Sequence, residues 1–157
     1  MGKIFCLMGK SSSGKDSIFK RVKDTFQDEL SSIILYTTRP MRKNEVQGRE
    51  YHFIDEQKLK EYEKGHKVIE QRVYHTVEGP WYYATIDDGQ VDLVMHNYIT
   101  IVTLEAYINL KNYYGEDKIV PIYIDVENGL RLERALKRER QQDQPNYDEM
   151  CRRFLAD

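Results

Sequence analysis

The sequence has little cysteine and no long apolar run. Its two cysteines, Cys6 and Cys151, are far apart and form no C-x-x-C pair, so we expect two small core residues in a reducing compartment rather than a disulfide or thiol-metal site. No stretch approaches the ~18 apolar residues of a membrane span. The short apolar run at the start leads into a glycine loop, unlike a signal peptide. We therefore predict a cytoplasmic protein.

An excess of one charge is also lacking. The net charge is −2 with 32% charged residues, which argues against a general surface for nucleic acid or an anionic membrane. The 157 residues are enough for one α/β domain and too few for two. Internal repeats and low-complexity linkers are absent from the sequence. We expect one compact domain that binds small molecules.

What the sequence does contain is a G-x-x-x-x-G-K motif at residues 9–15. An apolar run precedes it, and apolar residues at helical spacing follow it. Strand, glycine loop and helix together favour a phosphate site, in which backbone N–H groups and a helix N-terminus bind a nucleotide. An ordinary Ser/Gly turn is the alternative interpretation. The predicted ATP-binding residues are Gly9, Lys10, Ser11, Ser12, Ser13, Gly14, Lys15, Asp16 and Ser17.

One position departs from that motif. Asp16 follows the lysine where a Ser or Thr usually holds Mg²⁺, and Ser17 comes next. Asp16 could cap the helix, bind the metal through water, or leave the metal to Ser17. Magnesium, bound together with ATP, is the expected cofactor, and these two residues are its candidate ligands.

A second motif lies at residues 37–53, after a predicted strand at 32–36. Arg39 and Arg42 flank a proline-stiffened turn, and two planar guanidiniums held close together suit a phosphate monoester. A solvated basic loop is the alternative. The pattern T-T-R-P, then R, then E-V-x-G-x-x-Y-x-F resembles the guanylate kinase family, and the resemblance runs from Gly2 to the last residue.

This resemblance implies a kinase that transfers the γ-phosphoryl of MgATP to GMP. The same resemblance implies that Arg39, Arg42 and Tyr51 bind the phosphate of GMP. Glu70 pairs with guanine N1–H and the 2-amino group, and a carboxylate suits two adjacent donors. The remaining implied GMP-binding residues are Tyr83 near the phosphate and, near the base, Thr85 and Glu105.

The sequence also departs from the family pattern. Leu35 or Tyr36 replaces a serine that contacts guanine, and Thr103 replaces the first acidic residue of a D-x-D pair. These departures leave open a kinase of the same fold with another acceptor, either a different nucleotide or a sugar phosphate. A guanylate-kinase-like interaction module without catalysis is a further alternative, disfavoured by Gly14 and Lys15.

The last part of the chain is rich in arginine. The resemblance implies a mobile lid in which Arg134, Arg138 and Arg153 close over the phosphates of ATP, and with Lys15 they are the predicted catalytic residues. Phosphoryl transfer depends chiefly on such cations. For Arg131 and Arg152 a solvated helix face is sufficient explanation.

Alternation of strands and helices predicts an α/β fold, with a parallel sheet flanked by helices. Within it we expect a small mixed NMP-binding lobe and a helical lid. We assign 1–36 and 92–133 to the core, 37–91 to the lobe and about 134–150 to the lid. Predicted elements include helices at 55–64 and 86–96 and strands at 68–74, 81–83, 98–103 and 119–125.

The family continues beyond the arginine-rich helix into an edge strand with an adenine contact, and then a closing helix. The present sequence stops at Asp157, so it offers no residues for these elements: either the chain is a shortened form, or the donor base is held loosely. In the second case we expect poor discrimination between ATP and GTP, and an exposed sheet edge that favours self-association. The predicted state is a monomer or weak homodimer that binds ATP and GMP.

Overall fold

The computed structural model describes residues 1–76 and 79–157. Over these residues the chain forms two sheets and five α-helices, with one 3₁₀ turn at Glu116–Lys118. In chain order the elements are β1 (Ile4–Met8), α1 (Lys15–Thr25), β2 (Leu30–Ser32), β3 (Tyr36–Thr37), β4 (His52–Phe53), α2 (Glu56–Lys64), β5 (Val68–Thr76), β6 (Gly79–Ile86), β7 (Asn97–Ile101), α3 (Leu104–Tyr114), β8 (Ile119–Tyr123), α4 (Asn128–Arg140) and α5 (Tyr147–Ala156).

The first sheet is parallel, in the order β2-β7-β1-β8. Ile4 and Cys6 of the central strand β1 are fully buried and cluster with Ala106 and Leu110 of α3. Strands of this type read as continuous apolar runs because helices cover them. The predicted α/β class, a parallel sheet flanked by helices, is confirmed. The core position expected for Cys6 is confirmed too, whereas Cys151 is exposed on α5 and that expectation is wrong.

The second sheet is mixed, in the order β4-β3-β6-β5. The β3–β4 pair is parallel and the other pairs are antiparallel. Helix α2 packs on this sheet, and its Leu59 is buried in a second, smaller hydrophobic core. It begins as predicted at Asp55, whose carboxylate accepts the Lys58 N–H at 2.7 Å, and it ends at Gly65. The assignment of residues 37–91 to a separate lobe stays a prediction.

The strand expected at 32–36 is divided between the two sheets. β2 ends at Ser32 in the first sheet, and β3 begins at Tyr36 in the second. Between them the side-chain amide of Gln90 pairs with both backbone groups of Ile34, at 2.7 and 3.2 Å. The chain can leave the first sheet there because a side chain distant in sequence satisfies its backbone.

The helix expected at 86–96 is wrong. Ile86 belongs to β6, and turns follow it up to β7. The carboxylates of Asp88 and Asp92 accept the backbone N–H groups of Gln90 and Val94, at 3.0 and 2.9 Å. Such local side-chain bonds compete with helical ones and favour turns. Gly89, with φ +84°, adds a left-handed residue that ends any helix.

Among the described residues, no helix is both long enough and apolar enough to cross a membrane.

Candidate active site

The glycine motif forms the loop between β1 and α1. Gly9 has φ +151° and Gly14 has φ +92°, and Gly14 is the N-cap of α1. A side chain at Gly9 would place its Cβ only 2.6 Å from the carbonyl oxygen of Ile124. The loop therefore needs glycine at residue 9 both for its backbone angle and for its close approach to the chain after β8.

Lys15 folds back over this loop. Its Nζ donates to the carbonyl oxygens of Gly9 and Lys10, at 2.6 and 3.0 Å. Burial lowers the pKa of Lys15, and the nearby carboxylates of Asp16 and Asp157 act in the opposite direction. Because the carbonyls that accept hydrogen bonds from Lys15 are neutral, its ammonium remains available to an anion that enters the loop.

The side-chain carboxylate of Asp157 binds against the loop. The backbone N–H of Ser11 donates to Oδ2 of Asp157 at 2.6 Å, and Nη1 of Arg131 donates to the same oxygen at 3.2 Å. Arg131 is only 2% exposed and lies over the ring of Phe154, 4.7 Å from its centroid. The solvated position expected for Arg131 is therefore wrong, because α5 covers that side of α4.

A cavity of about 210 Å³ separates the loop from α4 and α5. Arg138 lines it, and its Nη2 lies 3.4 Å from Ser12 Oγ. Arg153 lines it as well, close enough for its charge to lower the pKa of Lys15. Arg134 Nη1 lies 4.0 Å from where a Cβ on Gly14 would stand. The structure thus brings all three predicted lid arginines to the loop.

A second cationic cluster forms where β3 leads into the T-T-R-P turn. Arg39 is 3% exposed, and its two terminal nitrogens donate to the two carboxylate oxygens of Glu45 at 2.8 Å each. Its Nε donates to the Tyr83 hydroxyl at 3.2 Å. Hydrogen bonds from Arg39 lower the pKa of Glu45 to about 2, and Glu45 raises that of Arg39. Arg39 is therefore a fixed, permanently charged group.

Aromatic rings surround that guanidinium. It lies 5.4 Å from the ring centroid of Tyr51 and 5.5 Å from that of Phe53. Tyr51 meets Tyr83 edge to face, with centroids 5.6 Å apart. Burial raises the pKa of Tyr51, so its hydroxyl stays protonated and can donate. Arg42 is exposed on the same turn, and its backbone N–H donates to Glu45 at 2.8 Å.

The neighbouring part of the second sheet holds a buried carboxylate. Glu70 of β5 stands opposite Thr85 of β6, and the Thr85 hydroxyl donates to Glu70 Oε1 at 2.8 Å. Arg72 donates to the same carboxylate, from Nε to Oε2 at 3.1 Å and from Nη2 to Oε1 at 3.4 Å. Residue 72 in turn stands opposite Tyr83. Glu70, Thr85, Tyr83 and Arg39 are thus linked along one face of the sheet.

The remaining predicted acceptor residue lies on another element. Glu105 is exposed in the first turn of α3, whose N-cap is Thr103. Among the described residues, Glu105 forms no hydrogen bond or ion pair with Glu70 or Arg39. Tyr36, which with Leu35 is one of the two alternatives for the position of the family serine, is buried, and its hydroxyl donates to Asp88 at 2.6 Å. Leu35 packs against the first core.

The candidate magnesium ligands lie at the start of α1. Asp16 and Ser17 are both exposed in its first turn. In the described part of the chain, no group of three or more His, Cys, Asp or Glu side chains could hold a metal by itself. Mg²⁺ at a phosphate site takes only one or two protein oxygens, together with water and phosphates. The oxygens of Asp16 or Ser17 fit that requirement.

Sequence reasoning missed three charged residues of these clusters. Glu45 was within the recognised motif but had no role, and it is the partner of Arg39. Arg72 could have been found from the two-residue period of a strand, which puts it on the same face as Glu70. Arg131 could not have been found, because its burial depends on where α5 packs.

The chain is similar to proteins that are already known. The family model described as guanylate kinase matches residues 1–152. The chain is 28% identical over 145 residues to a guanylate kinase of Mycoplasma pneumoniae, covering 90% of this chain and 58% of the relative. To a guanylate kinase of Thermotoga maritima it is 30% identical over 145 residues, covering 87% of this chain and 64% of the relative.

Solved structures are similar as well. The crystal structure of guanylate kinase from Anaplasma phagocytophilum matches with a TM-score of 0.63 at 20% identity, over 87% of this chain and 67% of that chain. At this identity the likeness concerns the fold. The chain spans about three fifths of the length of the curated relatives that it matches.

Proposed function

The chain belongs to the guanylate kinase family, and on this premise we propose that it transfers the γ-phosphoryl group of ATP to GMP, giving ADP and GDP. The observation that carries the proposal is the pairing of two groups on one sheet face. A fixed guanidinium, Arg39, is linked through Tyr83 to the strand pair that holds a buried carboxylate, Glu70. GMP offers a phosphate to the first and two adjacent N–H donors to the second.

In this proposal the acceptor phosphate is held by Arg39, Arg42 and Tyr51. Arg39 supplies a preorganised charge because Glu45 and Tyr83 fix its orientation. Arg42 is exposed and can move onto the phosphate when GMP arrives. The acceptor phosphate is already ionised, so no protein side chain has to form a covalent intermediate.

The base is read at the other end of the same face. Glu70 accepts the guanine donors, and the Thr85 hydroxyl keeps its carboxylate in place at 2.8 Å. Glu105 is the second proposed base contact, reached from the N-terminal turn of α3. Adenine presents one donor beside an acceptor there, and the acceptor would face a carboxylate.

The donor triphosphate is assigned to residues 9–17. Backbone N–H groups of the loop and the N-terminus of α1 hold the phosphates, as the Ser11–Asp157 contact supports for an oxyanion. Lys15 stabilises the charge that develops on the transferred group. Arg138 and Arg153 neutralise the phosphates from the other side of the cavity, and Arg134 does so from beside Gly14; together they exclude water.

Magnesium is the proposed cofactor and comes with ATP. Asp16 and Ser17 would hold it, directly or through water, and it would neutralise charge on the phosphate oxygens. We assign residues 1–36 and 92–133 to the core, 37–91 to acceptor binding and about 134–150 to the lid. We place the protein in the cytoplasm, where ATP and GMP occur, as a monomer or weak homodimer without nucleic-acid or membrane partners.

A coupled assay tests this function. ADP release is measured with MgATP and each nucleoside monophosphate in turn, and we expect the highest kcat/KM for GMP. A higher value for another monophosphate, or for a sugar phosphate, would assign a different acceptor to the same site. GMP binding without any GDP formation would favour an interaction module.

A further inference from the structure

The carboxylate assigned to the base is already occupied in this structure. Glu70 is 1% exposed at its side chain and forms an ion pair with Arg72, which is 14% exposed. Arg72 donates to both carboxylate oxygens, at 3.1 and 3.4 Å, and Thr85 donates to one of them at 2.8 Å. A buried carboxylate requires such partners because an unpaired one is strongly destabilised.

Guanine and Arg72 compete for the same edge of Glu70. A carboxylate accepts about four hydrogen bonds, two at each oxygen. Guanine needs two of these side by side, in the forked arrangement that Arg72 now occupies. Guanine can therefore bind Glu70 fully only if Arg72 moves.

Arg72 also lies beside the residues assigned to the acceptor phosphate. It stands opposite Tyr83 in the strand pair, and the Tyr83 hydroxyl accepts from Arg39 at 3.2 Å. The positive charges of Arg39 and Arg72 both act on the Tyr51 hydroxyl, opposing the rise that burial causes in its pKa. Arg72 thus adjoins the cluster assigned to the acceptor phosphate.

The positive charge that this cluster has free is smaller than the negative charge of a bound phosphate, so one more cation can bind there. Arg39 is already neutralised by Glu45, with two contacts of 2.8 Å. A phosphate monoester carries between one and two negative charges near neutral pH. The exposed Arg42 supplies one positive charge, and Arg72 supplies another once guanine has taken its place on Glu70.

We propose that Arg72 is a specificity-determining residue, which neutralises Glu70 in the free protein and moves onto the acceptor's phosphate when guanine replaces it. This inference rests on GMP as the acceptor. It makes recognition of base and phosphate interdependent. Guanosine displaces Arg72 without offering it an anion, and AMP offers the anion without two donors for Glu70.

Calorimetry with two ligands tests the exchange. GMP and guanosine are titrated into the wild-type protein and into Arg72→Met, which keeps the apolar stem. We expect Arg72→Met to weaken GMP binding by about tenfold or more, the loss typical of one charge-assisted hydrogen bond. Guanosine binding should be unchanged or tighter. Arg72→Lys retains the charge and should keep most of the GMP affinity.

Equal weakening of both ligands would overturn the inference, because Arg72 would then only hold Glu70 in place. If the wild-type protein binds guanosine as tightly as GMP, the inference also fails. Absence of GMP binding to the wild-type protein would overturn the proposed function and this inference with it. If the wild-type protein binds GMP but Arg72→Met binds GMP and guanosine equally more weakly, only this inference is overturned and the proposed function stands.

A second pair of variants covers the case in which Arg72→Met does not fold. Glu70→Gln removes the buried charge, so Glu70→Gln/Arg72→Met leaves no unpaired ion. We expect the double variant to bind GMP about tenfold more weakly than Glu70→Gln does, for the reason just given. Equal GMP affinities of these two variants would show that Arg72 never reaches the phosphate.

Discussion

Three buried charged residues in the described part of the chain form ion pairs, and each pair lies beside a proposed nucleotide site. Arg39 is paired with Glu45, Glu70 with Arg72, and Arg131 with Asp157. A buried pair contributes little net stability compared with apolar residues, but removing one partner leaves an uncompensated charge. Such pairs keep cations in place for a ligand while the protein is empty.

The Arg39–Glu45 pair predicts how stability depends on pH. Glu45→Gln should lower the free energy of unfolding by about 3 kcal/mol at neutral pH, since Arg39 stays buried without its counter-ion. Arg39 lowers the pKa of Glu45 from 4.5 to about 2. A lowered pKa gives stability that is complete above the unfolded-state value and lost as the pH falls through the folded-state value. The difference between wild type and variant should therefore shrink between about pH 4.5 and 2.

Urea unfolding of both proteins across that range provides the measurement. Glu50→Gln is the matched control, because Glu50 pairs with the exposed Arg49 and surface pairs contribute little. A Glu45→Gln effect that stays constant down to the acid limit would contradict the assignment of the pair.

Lys15 should affect the chemical step and not acceptor binding. Lys15→Met is expected to lower kcat by roughly 10²–10³, the effect of removing one donor to developing charge. The affinity for GMP should be retained, since within the described residues the hydrogen bonds of Lys15 go to the loop carbonyls of Gly9 and Lys10. Steady-state kinetics and GMP calorimetry measure the two effects, and Lys20→Met, on the exposed side of α1, is the control. An equal loss of GMP affinity would place Lys15 at the acceptor.

At the scale of elements, sequence patterns correctly predicted the helices and strands whose ends depend on contacts within the same segment. Helix α2 begins and ends where its own cap residues, Asp55 and Gly65, place it. The strand expected at 32–36 was divided because Gln90, far away in sequence, pairs with Ile34. The burial of Arg131 likewise depends on Phe154 of another helix. Patterns within one segment carry no information on such partners.

Helix α5 predicts a sharp difference between two adjacent arginines. Both arginines are exposed, but Arg153 lines the cavity at the phosphate loop, whereas Arg152 donates to Glu149 at 2.6 Å. Consecutive residues of a helix point about 100° apart. Arg153→Met should lower kcat/KM for ATP by about tenfold or more, as expected when a cation on the phosphates is lost. Arg152→Met should leave it nearly unchanged. Similar losses in both variants would show that α5 acts through overall charge only.

At the scale of the whole molecule, the two proposed phosphate sites belong to different sheets. The donor loop follows β1 of the parallel sheet, and the acceptor cluster lies on the mixed sheet. In-line transfer of a phosphoryl group requires both nucleotides to meet end to end. The proposed transfer therefore requires the two sheets to hold their ligands in one continuous cleft.

A single molecule that carries both nucleosides tests this geometry. Adenosine and guanosine joined through a pentaphosphate chain should bind more tightly than ATP or GMP alone, because binding one end raises the effective concentration of the other. At equal concentrations it should also give the largest rise in Tm, since stabilisation follows RT ln(1 + [L]/Kd). Thermal unfolding with each ligand measures this, and the corresponding diadenosine compound is the control for the guanosine end. If the mixed compound stabilises the protein no more than ATP does, the two sites do not face one cleft. If both compounds act equally, the acceptor end does not read guanine, and the role assigned to Glu70 fails with it.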